Sequence, residues 1–398
     1  MKLGENIIGQ SGLAPFFRVA NAEEIGATAP EPRRGDALRT VVRSLSGFQK
    51  EALVTSARSG ATWRLVSDEG DYLNGHDAAP CPLAFLTVGM VASYLNELRA
   101  LARREGVELR DLRLTQDNYY TMKGAMRDRS MTGGALPVEL TVEAATDLSD
   151  AALNELAMNA VHASPLNGLM RGRLPSLFAL SKNGTELAPA RARRIEGEML
   201  PDPGVMGAEA VPEAGDLTLV ERTGVTPEKA LQGGTAGGGS SLADHQDRTL
   251  NPAATAFVRD DGVTVIDQRL YSPRGSTFRF LSEEGPESGG QGRAPDANSY
   301  ISAGIAFCFM TQFGRFVSML GLDLPEYRIV QDTHFSPGGA SGGTGRAGEA
   351  DPVETHVFLQ TSESDDVARE MLDIAEQTCF LHAFCRTDLK TKLTVNRL

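Results

Sequence analysis

Two long apolar segments dominate the hydrophobic pattern of this 398-residue chain. Residues 83–104 and 299–320 contain few polar positions, which is typical of helices that are buried on most sides. The second segment also contains Arg315, Thr311 and Gln312, which are unusual in a membrane span. We therefore predict two central helices that belong to the core of a soluble protein.

Shorter segments around each long helix predict strands. Before the second helix, residues 262–266 and 276–280 are rich in β-branched and aromatic residues and are bounded by turn sequences. After it, residues 353–359 alternate between apolar and polar positions, and a shorter helix that Ser364 can cap follows. The predicted fold class is α+β, in which an antiparallel sheet wraps on two central helices.

The same order of elements occurs twice because the chain repeats itself at an offset of 215 positions. Residues 57–70 (ARSGATWRLVSDEG) and 272–285 (SPRGSTFRFLSEEG) carry the clearest identities. The identical pairs there are Gly60/Gly275, Thr62/Thr277, Arg64/Arg279, Ser67/Ser282, Glu69/Glu284 and Gly70/Gly285. We predict two similar domains, residues 1–183 and 245–398, joined by a linker at 184–244 that is rich in Pro, Gly and Ala. The sequence GDLTLVERTGV within the linker is a candidate for one extra strand.

The net charge of the chain limits which partners it can bind, and its cysteine content indicates the cellular compartment. The chain has 52 acidic and 39 basic residues, a formal net charge of −13, which argues against nucleic acid and anionic membranes as partners. Four cysteines in a chain of this length do not form a disulfide scaffold. The first residues also lack the apolar run of a signal peptide. We expect a cytoplasmic protein.

The two copies differ at two cysteines. At the fixed offset, Cys308 corresponds to Ser93 and Cys379 corresponds to Ser164. A cysteine that only packs in a core is more readily replaced by Ala or Val, because free cysteine behaves there as a small hydrophobe. The exchange for serine at both sites indicates that one copy keeps a functional thiol pair and the other does not.

The residues around these thiols resemble the OsmC/Ohr family of thiol-dependent hydroperoxide reductases. The resemblance lies in the mid-helix cysteine of GIAFCFMTQFG, the later cysteine of AEQTCFLHAFCRTDLKTKLTV and the strand arginine of TFRFLSEEG. It implies that Cys308 is the peroxidatic thiolate and that Cys379 is the resolving thiol. Because family members are intertwined dimers with sites at the subunit interface, it also implies that the two copies form an intramolecular pseudo-dimer.

A buried thiolate needs a nearby cation, and arginine suits this role because it stays charged when desolvated. The candidates are Arg64 and Arg279, of which Arg64 is preferred if the cross-subunit arrangement of the family is kept. The chain departs from the family pattern at Asn298, where a glutamate is usual, and at Phe380, where a proline is usual.

We expect no cofactor and no metal. The spacing Cys379, His382, Cys385 superficially suggests zinc, but three such residues on a continuous helix cannot all face one ion. The partners implied are a small-molecule hydroperoxide or an apolar thiol-reactive ligand and a dithiol reductant, while a homo-oligomer is left open. Two alternatives remain: a non-catalytic binding protein for a small ligand, and non-redox thiol chemistry at Cys308 such as acyl or sulfur transfer.

Overall fold

The computed structural model describes residues 4–12, 14–229 and 240–398. Its helices are α1 (Ile7–Gln10), α2 (Pro82–Glu105), α3 (Asp150–Ala163), α4 (Leu166–Arg171), α5 (Ala297–Leu320), α6 (Asp365–Thr378) and α7 (Phe380–Arg386). Its strands up to the linker are β1 (Phe17–Arg18), β2 (Asp36–Ser46), β3 (Gln49–Ser56), β4 (Thr62–Ser67), β5 (Arg110–Asp117), β6 (Tyr120–Ala125), β7 (Thr132–Ala135), β8 (Val138–Ala145) and β9 (Leu177–Lys182). The later strands are β10 (Thr185–Leu187), β11 (Arg193–Arg194), β12 (Val220–Val225), β13 (His245–Val258), β14 (Thr264–Ser272), β15 (Ser276–Ser282), β16 (Glu326–Phe335), β17 (Glu354–Gln360) and β18 (Thr391–Arg397).

The two long helices begin and end at corresponding positions of the repeat. Helices α2 and α5 each have 24 residues, and their bounds differ by 215 positions, as do those of α3 and α6. Gly106 and Gly321 end the long helices in the left-handed region, with φ of 67° and 69°, where glycine avoids the strain of a Cβ atom. Helices at corresponding positions of the two halves therefore have the same lengths.

Each of the two sheets combines strands from both halves of the chain. Within the described residues, one sheet has the order β1-β4-β3-β2-β16-β17-β9-β10, with β11 beside β9. The other has the order β12-β15-β14-β13-β5-β8-β18, with the β6 and β7 hairpin beside β13. The prediction of an antiparallel sheet was wrong in part. Both sheets are mixed, because β9 pairs parallel to β17 and β18 pairs parallel to β8.

The central helices carry the core between these sheets. Helix α2 packs on β13 and β14, whereas α5 packs on β2 and β3, so each helix lies on the strands of the other half. An aromatic cluster joins the helices, in which the Phe85 ring lies 5.2 Å from Phe307 and 5.5 Å from Phe280. The two halves therefore share one hydrophobic core.

The helix crossing depends on two glycines that correspond in the repeat, Gly89 and Gly304. A Cβ atom on Gly304 would lie 2.7 Å from the backbone nitrogen of Leu86, and one on Gly89 would lie 2.6 Å from the carbonyl oxygen of Ala297. Distances this short to backbone atoms cannot be relieved by a side-chain rotation. The helices approach closely because neither glycine carries a side chain.

We predict that Gly304→Ala lowers the free energy of unfolding by about 1–3 kcal/mol, because overpacking the crossing outweighs the gain in helix propensity. Urea unfolding measures this difference. Gly314→Ala in the same helix is the control, since its Cβ would meet only side-chain atoms of Tyr327 and Phe48, at 3.1 and 3.2 Å. Equal effects of the two substitutions would show that the backbone contact between the helices is not what limits this position.

The segment between the halves adds strands to both sheets. Strands β10 and β11 pair with β9, and β12 pairs with β15 with Glu221 opposite Arg279. The candidate extra strand of the linker is thus confirmed. The linker's glycine run begins within residues 230–239, which lie outside the described residues.

Helix α5 alone among the described helices has the length and mean hydropathy of a membrane span. These properties are equally typical of a core helix, and 83% of its most apolar window is buried inside the protein. The burial agrees with the prediction of a central core helix.

Candidate functional site

The two cysteines singled out by the repeat lie side by side. Cys308 lies in the middle of α5, and Cys379 lies at the break between α6 and α7, where it ends one helix and caps the next. Their sulfur atoms are 3.5 Å apart, and both residues are buried. This separation is longer than a disulfide bond, so the pair is a dithiol within reach of oxidation.

The surroundings of the pair favour negative charge on Cys379. Burial by itself raises the pKa of Cys379, but the contact with Cys308, the His382 imidazole and the His382 backbone N–H, 3.5 Å from the Cys379 sulfur, together hold this pKa well below its usual value. Burial raises the pKa of Cys308, and the neighbouring Cys379 raises it further. The two directions together favour ionisation of Cys379 over ionisation of Cys308.

Cys308 also lines a small cavity whose empty space, with open solvent included, is about 430 Å³, whereas Cys379 is not among the residues that line it. The face of α5 that borders the cavity carries Cys308, Thr311, Gln312 and Arg315, which follow helical i, i+3, i+4 and i+7 spacing. The remaining wall comes from both halves of the chain. It consists of Glu69, Tyr72, Leu73, Cys81, Pro82, Leu83, Ser241, Arg248, Leu250, Leu270, Pro273 and Phe380.

A buried carboxyl lines this cavity, and a buried amine interacts with that carboxyl electrostatically. Glu69 accepts hydrogen bonds from Tyr72 Oη at 2.8 Å and from Thr311 Oγ1 at 3.1 Å. Burial raises the pKa of Glu69, while the charge of Lys50 opposes that shift. Burial likewise lowers the pKa of Lys50, and Glu69 and Cys308 are among the groups whose negative charge opposes it. Lys50 is thus a buried amine whose electrostatic surroundings include Glu69 and Cys308.

The structure places neither predicted arginine at the thiols, which corrects the assignment of Arg64 and Arg279. Arg64 Nη2 is ion-paired with Glu51 at 2.6 Å, and its Nη1 donates to the carbonyl oxygen of Ala14 at 3.0 Å. Arg279 is half-exposed and is ion-paired with Asp267 at 2.8 Å.

The physical reason is strand alternation. Trp63 and Leu65 in β4 belong to the main hydrophobic core, as do Phe278 and Phe280 in β15. The arginine between each pair therefore projects from the opposite face of its sheet. Lys50 in β3 is fully buried and shares its side of the strand with the core residues Ala52 and Val54.

Two other arginines line the cavity and were not assigned a role from the sequence. Arg315 is 1% exposed and its Nε donates to the carbonyl oxygen of Ser241 at 2.9 Å, while Arg248 is 7% exposed and donates to the Ser241 side chain. The signal that could have identified Arg315 is its position two turns after Cys308 on an apolar helix. Asn298, the departure from the family pattern, donates to Asp36 at 2.9 Å.

The remaining cysteines are also buried. Burial raises the pKa of both Cys81 and Cys385 to about 12, so both are protonated at neutral pH. Cys81 lies at the N-cap position of α2 and lines the cavity together with Cys308, a location that was not predicted.

In the first half, the two positions that correspond to Cys308 and Cys379 have a similar geometry, with hydroxyl groups in place of the thiols. Ser93 Oγ and Ser164 Oγ are 2.7 Å apart and buried. Residues 337–348 cover this place, since Gly339 N donates to the carbonyl oxygen of Ala163 at 2.8 Å. Glu97 holds the same loop by accepting from Ala340 N at 2.8 Å. A loop thus lies against the serine pair, while the cysteine pair borders a cavity.

Glu284 is the residue that corresponds to Glu69 in the repeat, and it likewise accepts a hydrogen bond from a residue of the other half. Asn96 Nδ2 donates to Glu284 Oε1 at 2.7 Å, just as Thr311 of the second half donates to Glu69 of the first. Burial raises the pKa of Glu284 to about 8, and burial together with Asp36 raises the pKa of Asp296 to about 6.

These raised pKa values predict a protein that loses stability as the pH rises. Between about pH 4, the ordinary carboxyl range, and about pH 8, the folded state binds protons that the unfolded chain has released, so the free energy of unfolding falls with increasing pH. Urea unfolding across this range measures the slope, which Glu284→Gln should flatten. The control Glu108→Gln, at an exposed residue, should leave it unchanged. A slope that survives Glu284→Gln would assign it to other groups.

Comparison with known proteins identifies a family for part of the chain. Residues 290–394 match the family model described as OsmC-like protein. The crystal structure of an OsmC-like hydroperoxide resistance protein from Jannaschia sp. CCS1 matches with 18% identity, covering 32% of this chain and 79% of that chain, at a TM-score of 0.19. No curated protein matches the chain.

Proposed function

Residues 290–394 form an OsmC-like domain, and on this premise we propose that the protein is a thiol-dependent peroxidase that reduces organic hydroperoxides through Cys308 and Cys379. The observation that carries the proposal is the 3.5 Å separation of two buried sulfur atoms, one of which borders a cavity. The serine pair at the corresponding positions has matching geometry, but its hydroxyl groups cannot perform thiol redox chemistry. Of the two places, the one with the cysteines is therefore the one that can support the reaction.

In this proposal the chain is an intramolecular pseudo-dimer of two OsmC-like domains, residues 1–183 and 245–398, with 184–244 as the connection. Two observations support it. Each sheet takes strands from both halves, and each central helix lies on the strands of the other half. The Glu69–Thr311 and Glu284–Asn96 contacts are also related by the same offset of 215 positions. A twofold arrangement accounts for both.

The reaction begins with one proton shared by the two sulfurs. When that proton moves from Cys308 to Cys379, the Cys308 thiolate attacks the terminal oxygen of the hydroperoxide, so that an S–O bond forms and the O–O bond breaks. The leaving alkoxide takes the proton from Cys379 and departs as the alcohol. The Cys379 thiolate then attacks the Cys308 sulfenic acid, forming the disulfide and releasing hydroxide. An external dithiol supplies two electrons to restore the pair.

Lys50 is the group that we assign to stabilise the Cys308 thiolate. It replaces Arg64 and Arg279 in this role because their guanidinium groups are engaged with Glu51 and Asp267. Lys50 is fully buried and its charge acts on Cys308 across a medium of low polarity, where a cation is effective. The amine favours the charge shift from Cys379 to Cys308 that precedes attack.

The test is steady-state turnover of the reduced, full-length protein with cumene hydroperoxide and dithiothreitol. We expect consumption of hydroperoxide that saturates with substrate and scales with protein concentration. Consumption no faster than that of dithiothreitol alone would contradict the proposal.

A second candidate function is binding of a small ligand without turnover, or a non-redox reaction such as acyl or sulfur transfer at Cys308. The observation that favours it is the raised pKa of Cys308, the thiol that borders the cavity. Under this alternative, a hydroperoxide oxidises the protein slowly and without selectivity among its four cysteines. Under the peroxidase proposal, oxidation is rapid and confined to one pair.

A further inference from the structure

Strands β9 and β18 occupy corresponding positions in the two sheets but differ in exposure. β9 pairs parallel to β17, and β18 pairs parallel to β8, in registers that are related by the offset of 215 positions. The other edge of β9 pairs with β10 and β11, and four of its six residues are buried. β18 has no second partner strand among the described residues, and none of its seven residues is buried. Its free edge therefore presents unpaired backbone donors and acceptors.

A segment of the linker, residues 186–195, fills the groove between β9 and α6. Ile195 N donates to the carbonyl oxygen of Phe178 in β9 at 2.9 Å. On the other side of the groove, Arg191 N and Nε donate to the Asp373 carboxylate in α6 at 3.1 and 3.2 Å. The occupant of this groove is thus an extended chain that adds to the sheet edge and contacts the helix.

The corresponding groove, between β18 and α3, is open. Its empty space, with open solvent included, is about 670 Å³. Met158 and Val161 line it from α3, while Lys390 and Leu393 line it from the start of β18. Met158 is 50% exposed, although methionine is usually buried. The open groove therefore has an apolar wall on the helix side.

The sequence difference between the two grooves is the reverse of what solvent exposure favours. At the fixed offset, the exposed Met158 corresponds to Asp373, and Val161 corresponds to Glu376. The covered groove has acidic residues at these positions, and the open groove has apolar ones. An apolar wall that faces water is typical of a surface that another molecule covers.

We propose that the groove between α3 and β18 binds an extended segment of a partner protein, which adds a strand to the free edge of β18. An apolar side chain of this segment contacts Met158 and Val161. In the covered groove Arg193 lies opposite Leu177, whose counterpart is Lys392, so the segment has an acidic residue at that position. Main-chain pairing supplies affinity, and these two side chains supply specificity.

The charge of β18 argues against a second copy of this chain as the occupant. Two β18 edges that paired with each other would bring together Lys392 and Arg397 from both copies. Cations on an edge strand disfavour pairing between identical edges. An acidic segment has the complementary charge.

The probe is a fluorescein-labelled peptide of residues 186–196 with the changes Arg191→Leu and Arg193→Glu, which adapt the segment of the covered groove to Met158 and Lys392. Fluorescence anisotropy with the full-length protein measures its binding, which we expect to saturate. The control peptide has N-methylisoleucine in place of Ile195, so it keeps the side chain but lacks the backbone donor. It should bind at least about tenfold more weakly.

Met158→Asp should also weaken binding of the probe at least about tenfold, because it places a carboxylate against an apolar side chain. Val211→Asp is the matched control and should bind as the wild type does. Val211 is 51% exposed and does not line the groove.

Four results would overturn the proposal. They are no saturable binding up to about 1 mM peptide, equal binding of the two peptides, undiminished binding by Met158→Asp, and equal losses in Met158→Asp and Val211→Asp. Sedimentation of the protein alone tests the other occupant. A dimer that Met158→Asp dissociates would place a second copy in the groove and would contradict the assignment to a partner protein.

Discussion

Replacing Cys308 with serine is expected to reduce turnover of hydroperoxide to the rate of dithiothreitol alone, since removing a catalytic nucleophile can cost on the order of 10⁶-fold. The physical reason is that serine has the size of cysteine but a hydroxyl that does not ionise near neutral pH, so no nucleophile faces the cavity. The measurement is kcat/KM for cumene hydroperoxide with dithiothreitol as reductant.

Cys385→Ala is the control for this substitution. Cys385 is also a buried cysteine of the second half, but it does not line the cavity. This variant should keep the turnover of the wild type. Undiminished hydroperoxide consumption by Cys308→Ser would remove Cys308 from the reaction, while equal losses in both variants would indicate a general effect of altering the core.

The double substitution Ser93→Cys with Ser164→Cys is expected to create a second disulfide in the first half. The two hydroxyl oxygens already face each other at 2.7 Å, in the place that corresponds to the natural thiol pair. Oxidation with diamide would close a loop of about 70 residues, which by chain entropy raises the free energy of unfolding by about 4 kcal/mol. The difference between oxidised and reduced protein in urea unfolding measures the gain.

The single substitution Ser93→Cys is the control, and it should show no such difference. The Cys308→Ser background keeps the natural pair from contributing. Because residues 337–348 cover the serine pair, the new thiols should react with small diamide but should not turn over cumene hydroperoxide. Failure of the double variant to form the disulfide would contradict the equivalence of the two places.

The thiol pair was predictable from the sequence because the repeat allowed one half to be compared with the other. The exchange of cysteine for serine at both Cys308 and Cys379 indicated a functional thiol pair, while the 3.5 Å distance between the two sulfur atoms required the structure. The assignment of Arg64 and Arg279 failed for a reason that the sequence also contained. In β4 and β15 large apolar residues flank each arginine, and alternation sends the arginine to the opposite face.

The charged lining of the cavity was harder to predict. Lys50, which does not itself line the cavity, lies on the same side of β3 as the core residues Ala52 and Val54, so alternation places it inward, but a buried lysine is rare enough that the sequence alone did not single it out. Arg248 reaches the cavity from β13, and its counterpart Arg33 lies on the surface. Of these residues, only Arg315 could have been predicted, because its helical spacing from Cys308 places both residues on the same face of α5.

The exchange of strands between halves could not be read from the sequence. Because the halves are similar, β2 has two nearly equivalent candidate partners, β5 in its own half and β16 in the other. Neither the hydrophobic pattern of these strands nor their possible registers distinguishes the two candidate partners. The structure pairs β2 with β16, with Val41 opposite Val330, and pairs β13 with β5, with Thr255 opposite Thr115. The choice depends on long-range packing of the central helices.

The most direct test of the central claim is peptide mapping by mass spectrometry after one equivalent of hydroperoxide is added to the reduced protein. The account predicts a single disulfide joining Cys308 to Cys379, with Cys81 and Cys385 still reduced. Oxidation spread over all four cysteines, or a Cys308 that remains a thiol while the hydroperoxide is consumed, would contradict it.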